Sequence, residues 1–282
     1  MQVFKKKKLL SDWISLQKSQ GKHIGFVPTM GALHSGHLSL VEASKKNNAI
    51  TIVSIFVNPT QFNNQNDLKN YPKTLTADLD LLKNIDCDAV FIPSVEEMYT
   101  AHVISKKYDF EGIENEMEGS FRTGHFDGVA TIVQALLETV KPDNAYFGEK
   151  DFQQLQIVKK LTKKQNITTN IIGCPIFREK DGLAMSSRNV RLTEKERKEA
   201  PFIYQTIKKA TTMATTKSIL EIKQFVTNTF KSNHLLSLEY FSIADEATLQ
   251  EATTFEKNKK YRAFIAVNVG AVRLIDNLKI LN

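Results

Sequence analysis

The sequence predicts an α/β fold, a Rossmann-like, doubly wound parallel sheet followed by a smaller C-terminal α+β domain. Three observations carry this. Short apolar runs rich in β-branched residues alternate with segments of helical period through the first two-thirds of the chain. One of them, AITIVSIFV (49–57), reads as a continuous apolar run, which suits a parallel strand buried on both faces. Beyond residue 176 the alternation stops, and highly charged helical sequence precedes two strand-like runs.

The elements follow in order. HIGFVP (23–28) predicts a strand, and the residues from Leu38 to Glu42 a helix. After the strand at 49–57, TLTADLDLLKN (74–84) repeats leucine at helical spacing behind Thr74 as N-cap. DAVFIP (88–93) is the next strand, and 127–142 is a helix stopped by Pro142. NAYFG (144–148), a helix over 151–164 and a strand over 167–176 complete the alternation, which implies parallel strands. Residues 177–192 are polar, 193–210 helical, and 238–245 and 261–277 strand-like. The predicted domains are therefore 1–176 and 177–282.

The 282 residues suffice for one large domain or two modest ones, and 41% hydrophobic with 24% charged content predicts a packed core rather than disorder. The net charge of +7 suits an anionic ligand such as a nucleotide. The lysine runs at 5–8, 159–160, 163–164 and 259–260 read as solvated helix faces and ends. Aromatics do not interleave with them, which argues against nucleic acid as a partner. Cys87 and Cys174 form no CxxC and no zinc spacing, so two buried free thiols in a reducing, cytoplasmic setting are expected. The N-terminal sequence has no signal-peptide pattern, and no apolar run is long enough to span a bilayer, so no membrane partner is expected.

The chemistry concentrates in FVPTMGALHSGHLSL (26–40), at the predicted end of the first strand. In an open parallel sheet, ligands bind beyond the C-terminal strand ends. Gly31 lets the turn run tight, and Gly36 permits close backbone approach. A helix starting at residues 34–36 would offer free N–H groups and the positive end of its dipole to a phosphate. His34 and His37, three apart, would share one helix face, where imidazole N–H groups stabilise charge building on a five-coordinate phosphorus. MSSRN (185–189) adds two hydroxyls and a guanidinium suited to phosphates, although such a loop, read alone, is more readily ordinary surface.

An H-x-G-H motif followed much later by a K-M-S-K-S-like loop resembles the nucleotidylyl-transferase superfamily. PTMGALHSGHLSLV, SIFVNPTQFN, YP, FGEKDFQQL and DGLAMSSRN, in this order, resemble the pantoate–β-alanine ligase family over essentially the whole chain. The resemblance implies ATP-dependent joining of pantoate to β-alanine through pantoyl adenylate, with Mg2+ beside the ATP, a homodimer, and a C-terminal lid that excludes water.

It also implies residue roles. His34 would help hold ATP, and His37 would act as general acid and transition-state stabiliser. The nucleotide would lie along Met30, Gly31, Ala32 and Leu33, then Ser35 and Gly36. Pro28, Thr29 and Met30 would line the substrate pocket, Asn58 would help hold the adenylate, and Gln61 and Gln154 would take pantoate. Gly148 and Glu149 would approach the nucleotide, Lys150 the phosphates, and Asp151 the ribose. Phe177 would meet adenine through its backbone. Met185 opens the loop whose Ser186, Ser187 and Arg188 would grip the outer phosphates. Asp78 is either a magnesium ligand or an ordinary exposed helical carboxylate. In EGSFRTGHFDGVAT (118–131) the glycines suggest tight turns and His125 reads as structural, while Arg122 belongs either at the site's mouth or in a dimer contact. Two rivals are another adenylyl-transferring enzyme of the same fold, which would not need Gln61 and Gln154, and a basic RNA-binding module.

Overall fold

The computed structural model describes residues 1–63, 65–99 and 102–280. Six strands, β1 (Gln2–Phe4), β2 (Ile24–Thr29), β3 (Ile50–Ile55), β4 (Ala89–Phe91), β5 (Asn144–Gly148) and β6 (Asn170–Cys174), make one sheet in the order β1-β4-β3-β2-β5-β6. Every pairing is parallel. The chain runs outward from β2 through β3 to β4, then returns to the other flank of β2 for β5 and β6. The strand order therefore reverses between β2 and β5, and ligands of such sheets bind beyond the strand ends at a reversal of this kind.

Helices α1 (Lys7–Ser19), α2 (Ser35–Asn47), α3 (Leu75–Asn84), α4 (His125–Val140) and α5 (Phe152–Lys164) belong to the connections around this sheet. Burial of β2 and β3 is nearly complete along their lengths, as strands covered on both faces require. Val27, Val53, Val90 and Tyr146 from four strands form one core cluster with Leu40 and Val41 of α2 and Leu82 of α3. Helix α2 lies very close to β2, because a Cβ on Gly25 would stand 2.1 Å from Ser44 Oγ.

Contacts between Cα atoms divide the chain into two compact units. One comprises Met1–Glu114, Glu118–Glu149 and Gln153–Pro175; the other comprises Asn115–Met117, Lys150–Phe152 and Ile176–Asn282, of which the final two residues lie outside those described. In the second unit β7 (Leu236–Asp245), β8 (Tyr261–Val269) and β9 (Val272–Ile280) form an antiparallel sheet. Helices α6 (Phe202–Met213) and α7 (Ile219–Lys231) bury Ile203, Ile207, Ile222 and Val226 in the same core as Ile243, Ile265 and Val267 of that sheet. Lys150–Phe152 group with this unit because Phe152 packs against Phe264, centroids 6.0 Å apart, and under the Arg262 guanidinium at 4.0 Å.

Several predicted elements change in detail. Residues 193–210 are two helices, Glu194–Glu199 and α6, separated around Pro201, and 261–277 is a hairpin that turns at Gly270, φ 55°. Helix α4 ends on Lys141 in the left-handed region, so the helix is over before Pro142. Thr74 occupies the N-cap of α3, but its hydroxyl donates to Asp78 Oδ1 instead of capping the helix. β1, α1 and α7 are additions to the predicted set. Among the described residues, no helix is long and apolar enough to cross a membrane. Both cysteines are buried and free, and burial pushes the Cys87 thiol up to about 11.

Candidate active site

β2 ends on Thr29, whose hydroxyl donates to the Ser54 carbonyl of β3 at 2.7 Å and accepts from the Gly31 N–H at 3.1 Å. The chain then folds back through two left-handed residues, Gly31 (φ 80°) and Ala32 (φ 49°). At Gly31 a Cβ would also stand 3.0 Å from Asp78 Oδ2, so both backbone and space call for glycine. Asp78, 2% exposed, accepts from the Ala32 N–H at 3.0 Å, the Leu33 N–H at 2.8 Å and the Thr74 hydroxyl at 3.1 Å. Its carboxylate is thus a clamp on the turn. It is not an exposed helical carboxylate, and both its oxygens are already engaged by donors. Among the described residues, no three His, Cys, Asp or Glu side chains gather to hold a metal ion.

The turn delivers the helix start that the sequence predicts. His34 is the N-cap of α2, and its Nδ1 accepts from the Gly36 N–H at 3.2 Å. A backbone N–H can only donate, so in the neutral imidazole the proton is on Nε2. The His37 ring lies 4.0 Å from that of His34, tilted by 32°. The two imidazoles thus stand together at the leading end of a thirteen-residue helix, beyond the C-terminal end of β2.

Beyond β3, a short 3-10 turn (Pro59–Gln61) brings Gln61 to Met30, with Nε2 donating to Met30 Sδ at 3.1 Å. Asn58 is buried and donates to Gln61 Oε1 at 3.2 Å. His125 is also buried; its Nδ1 donates to the Gln61 carbonyl at 2.8 Å, a structural task. Arg122 reaches the same carbonyl at 3.5 Å and pairs with Glu118 at 3.6 Å, so it sits beside the Gln61 turn. Gly128 permits this packing, since a Cβ there would stand 2.4 Å from the Thr60 carbonyl. The neighbouring glutamines of α5 separate in role. Gln153 is buried and bonded to Glu118 N and Ile113 O, whereas Gln154 is half-buried. At the end of β5, a Cβ on Gly148 would meet no protein atom within 4 Å. No packing demands glycine at this position.

In the second unit, Lys150 Nζ lies 3.8 Å from Asp151 Oδ2, and the Lys150 carbonyl accepts from Asn277 Nδ2 at 2.9 Å. Residues 177–185 form a narrow hairpin. The Phe177 carbonyl accepts from the Met185 N–H at 3.0 Å, and its ring is left largely exposed. Arg178 grips Asp276 with both terminal nitrogens, at 2.6 and 2.8 Å, and stacks 4.1 Å over the Tyr204 ring. Burial holds the Asp276 carboxyl above the ordinary carboxylate range, and the Arg178 guanidinium offsets only part of that rise. Arg197 bonds Glu179 and Asp181. Ser186 Oγ accepts from the Arg188 N–H at 3.2 Å, and Ser187 and Arg188 are half-buried.

Residues 2–279 match the family model described as pantoate-beta-alanine ligase. The chain is 52% identical over 283 residues to the pantothenate synthetase of Christiangramia forsetii, covering 100% of both chains. It is 52% identical over 281 residues to that of Flavobacterium psychrophilum, covering 99% of this chain and 100% of the relative. The crystal structure of pantothenate synthetase from Thermus thermophilus superposes with a TM-score of 0.92 at 35% identity and 100% coverage of both. That of pantoate-beta-alanine ligase from Francisella tularensis, complexed with beta-gamma ATP and beta-alanine, gives 0.80 at 37% identity over 99% of this chain and 97% of that one. A match over nearly the whole length, on the predicted fold, settles the kinship: this chain belongs to the pantoate–β-alanine ligase family.

Proposed function

We propose that the protein condenses (R)-pantoate with β-alanine, using ATP and releasing AMP and pyrophosphate. A carboxylate is a poor acylating agent, so the reaction divides in two. The pantoate carboxylate oxygen first attacks the α-phosphorus, and the bond from phosphorus to the bridging oxygen of pyrophosphate breaks. The β-alanine amine then attacks the acyl carbon of pantoyl adenylate; a C–N bond forms, the C–O bond to AMP breaks, and the amine loses a proton.

The observation that carries this reading is the pair of imidazoles 4.0 Å apart at the start of α2. The helix end supplies N–H groups and a positive field for the triphosphate, and His34 adds its Nε2–H. His37, one turn in, stabilises charge on the phosphoryl oxygens as phosphorus becomes five-coordinate and protonates the departing pyrophosphate. Pro28 and Thr29 shape the β2 end of the pocket. Gln61, beside Met30, and Gln154 take the hydroxyl and carboxylate oxygens of pantoate. Gly148 and Glu149 give the nucleotide room, Lys150 binds phosphate and Asp151 the ribose. Ser186, Ser187 and Arg188 hold the outer phosphates, within a domain (177–282) that acts as a lid. Mg2+ would enter with ATP, held chiefly by phosphate oxygens and water, as this ion prefers. The protein would work in the cytoplasm as a homodimer.

His37→Ala tests the reading. Pantoyl-adenylate formation, followed as pantoate-dependent ATP–pyrophosphate exchange, should fall by two or more orders of magnitude, roughly 3 kcal/mol, with the fold intact. A near-normal single-turnover rate in that variant would remove His37 from the chemistry.

A further inference from the structure

Gln61 is the side chain through which this reading recognises pantoate, and a buried polar chain governs how it is presented. Asn58 is 1% exposed. An asparagine amide has two donor hydrogens and two acceptor lone pairs. Both hydrogens of Nδ2 are used, one on the Gly128 carbonyl at 3.0 Å and one on Gln61 Oε1 at 3.2 Å. A carbonyl only accepts, so this contact fixes which end of the Asn58 amide is nitrogen. The other end, Oδ1, faces two hydroxyls, Tyr99 at 2.5 Å and Thr60 at 3.2 Å. These hydroxyls lie 2.9 Å from each other. Burial raises the Tyr99 phenol above its usual range, so it keeps its proton and stays a donor. The Asn58 side-chain amide thus has both hydrogens and both lone pairs engaged.

The consequence is felt at Gln61. Because Asn58 Nδ2 occupies Oε1, the Gln61 amide cannot turn over, and Nε2 is directed at Met30 Sδ. A thioether is a weak acceptor, so an arriving ligand oxygen displaces it with little loss. The backbone of the same residue is pinned separately, by His125 on its carbonyl.

We propose that Tyr99 is a positioning residue for pantoate: by holding Asn58 Oδ1 it locks the Gln61 carboxamide with its donor facing the substrate. Asn58 is then a second positioning residue. The assignment rests on the ligase reading above, and it adds a residue 38 positions from Gln61 that no local motif marks.

The test measures AMP release against pantoate and against ATP for the full-length wild type, Tyr99→Phe, Gln61→Ala and the double variant, with the melting temperature of each. Tyr99→Phe should raise the KM for pantoate about five-fold, while kcat and the KM for ATP stay within about two-fold. In the Gln61→Ala background the same substitution should add nothing, because the residue it acts through is gone. A wild-type pantoate KM in Tyr99→Phe, or an equal increase with and without Gln61, overturns the proposal. Should Tyr99→Phe fold poorly, Thr60→Val removes the other hydroxyl on Asn58 Oδ1; it should shift pantoate KM in the same direction, and a shift confined to ATP refutes the chain. If the wild type releases no AMP in response to pantoate, the ligase reading itself has failed and the assignment falls with it. That outcome is visible without any variant.

Discussion

Two segments carry most of the side chains assigned to ATP, and they are held in opposite ways. The turn from Thr29 to His37 is fixed by its own backbone. N–H groups of Ala32 and Leu33 end on one buried carboxylate, the Gly31 N–H ends on a threonine hydroxyl, and the Gly36 N–H ends on the His34 ring. The segment from Phe177 to Asn189 also closes on its own backbone, Met185 N–H on the Phe177 carbonyl and Glu179 N–H on the Leu183 carbonyl, but it is anchored beyond itself by long side chains, Arg178 on Asp276 and Tyr204, and Arg197 onto Glu179 and Asp181. The first arrangement is settled as soon as β2, β3 and α3 pack. The second requires flexible guanidinium stems to be ordered, which costs side-chain entropy. The lesson is that one of these segments is preset by the sheet, while the other leans on ion pairs that a single substitution can undo.

The sharpest way to break the comparison is Arg178→Ala. It leaves Asp276, 4% exposed, as a buried carboxylate without its cation, and should lower stability by about 3–5 kcal/mol in chemical denaturation. A loss below about 1 kcal/mol would mean that the hairpin is anchored elsewhere. Asp78→Ala attacks the other segment. Two backbone N–H groups lose their acceptor, at about 1–3 kcal/mol for each group left unsatisfied, and the KM for ATP should rise together with the loss of stability. If stability falls while ATP binding stays normal, the turn does not need its clamp to meet the nucleotide. The smallest structural effect belongs to Gly148→Ala. Open space around that position predicts a stability change within about 0.5 kcal/mol, so any rise in the KM for ATP would report the nucleotide itself lying against the glycine.

The sequence shows some of this directly. The strand at β3 is legible because burial on both faces leaves an unbroken apolar run, and the start of α2 is legible because glycines and histidines cluster where a strand ends. Other parts are hidden for physical reasons. β1 is three residues long, too short for any periodicity. Helix α1 begins inside a lysine run, although its inner face, Leu10, Ile14 and Gln17, recurs at helical spacing and so left a signal. Helix α7 did leave a signal, since Ser218 and Glu221 form a capping box that can be read from the sequence. Asp78 looks like any polar position on a helix until the turn of Ala32 is folded over it. Asn58, Tyr99, Gly128 and His125 meet only in three dimensions, so no spacing rule brings them together. The bonds within H-x-G-H are local; of those that seat Gln61, the one from Asn58 is local too, while Met30 and His125 come from distant segments.

The state of the two thiols has a practical side. Cys87 holds its proton far above neutrality, and burial pushes Cys174 in the same direction. An alkylating dye acts on thiolate, so at neutral pH it finds almost none on the native chain. A single cysteine introduced at an exposed position of the loop at 177–189 would therefore carry a fluorophore with little competing background, turning the segment that hangs on ion pairs into its own reporter.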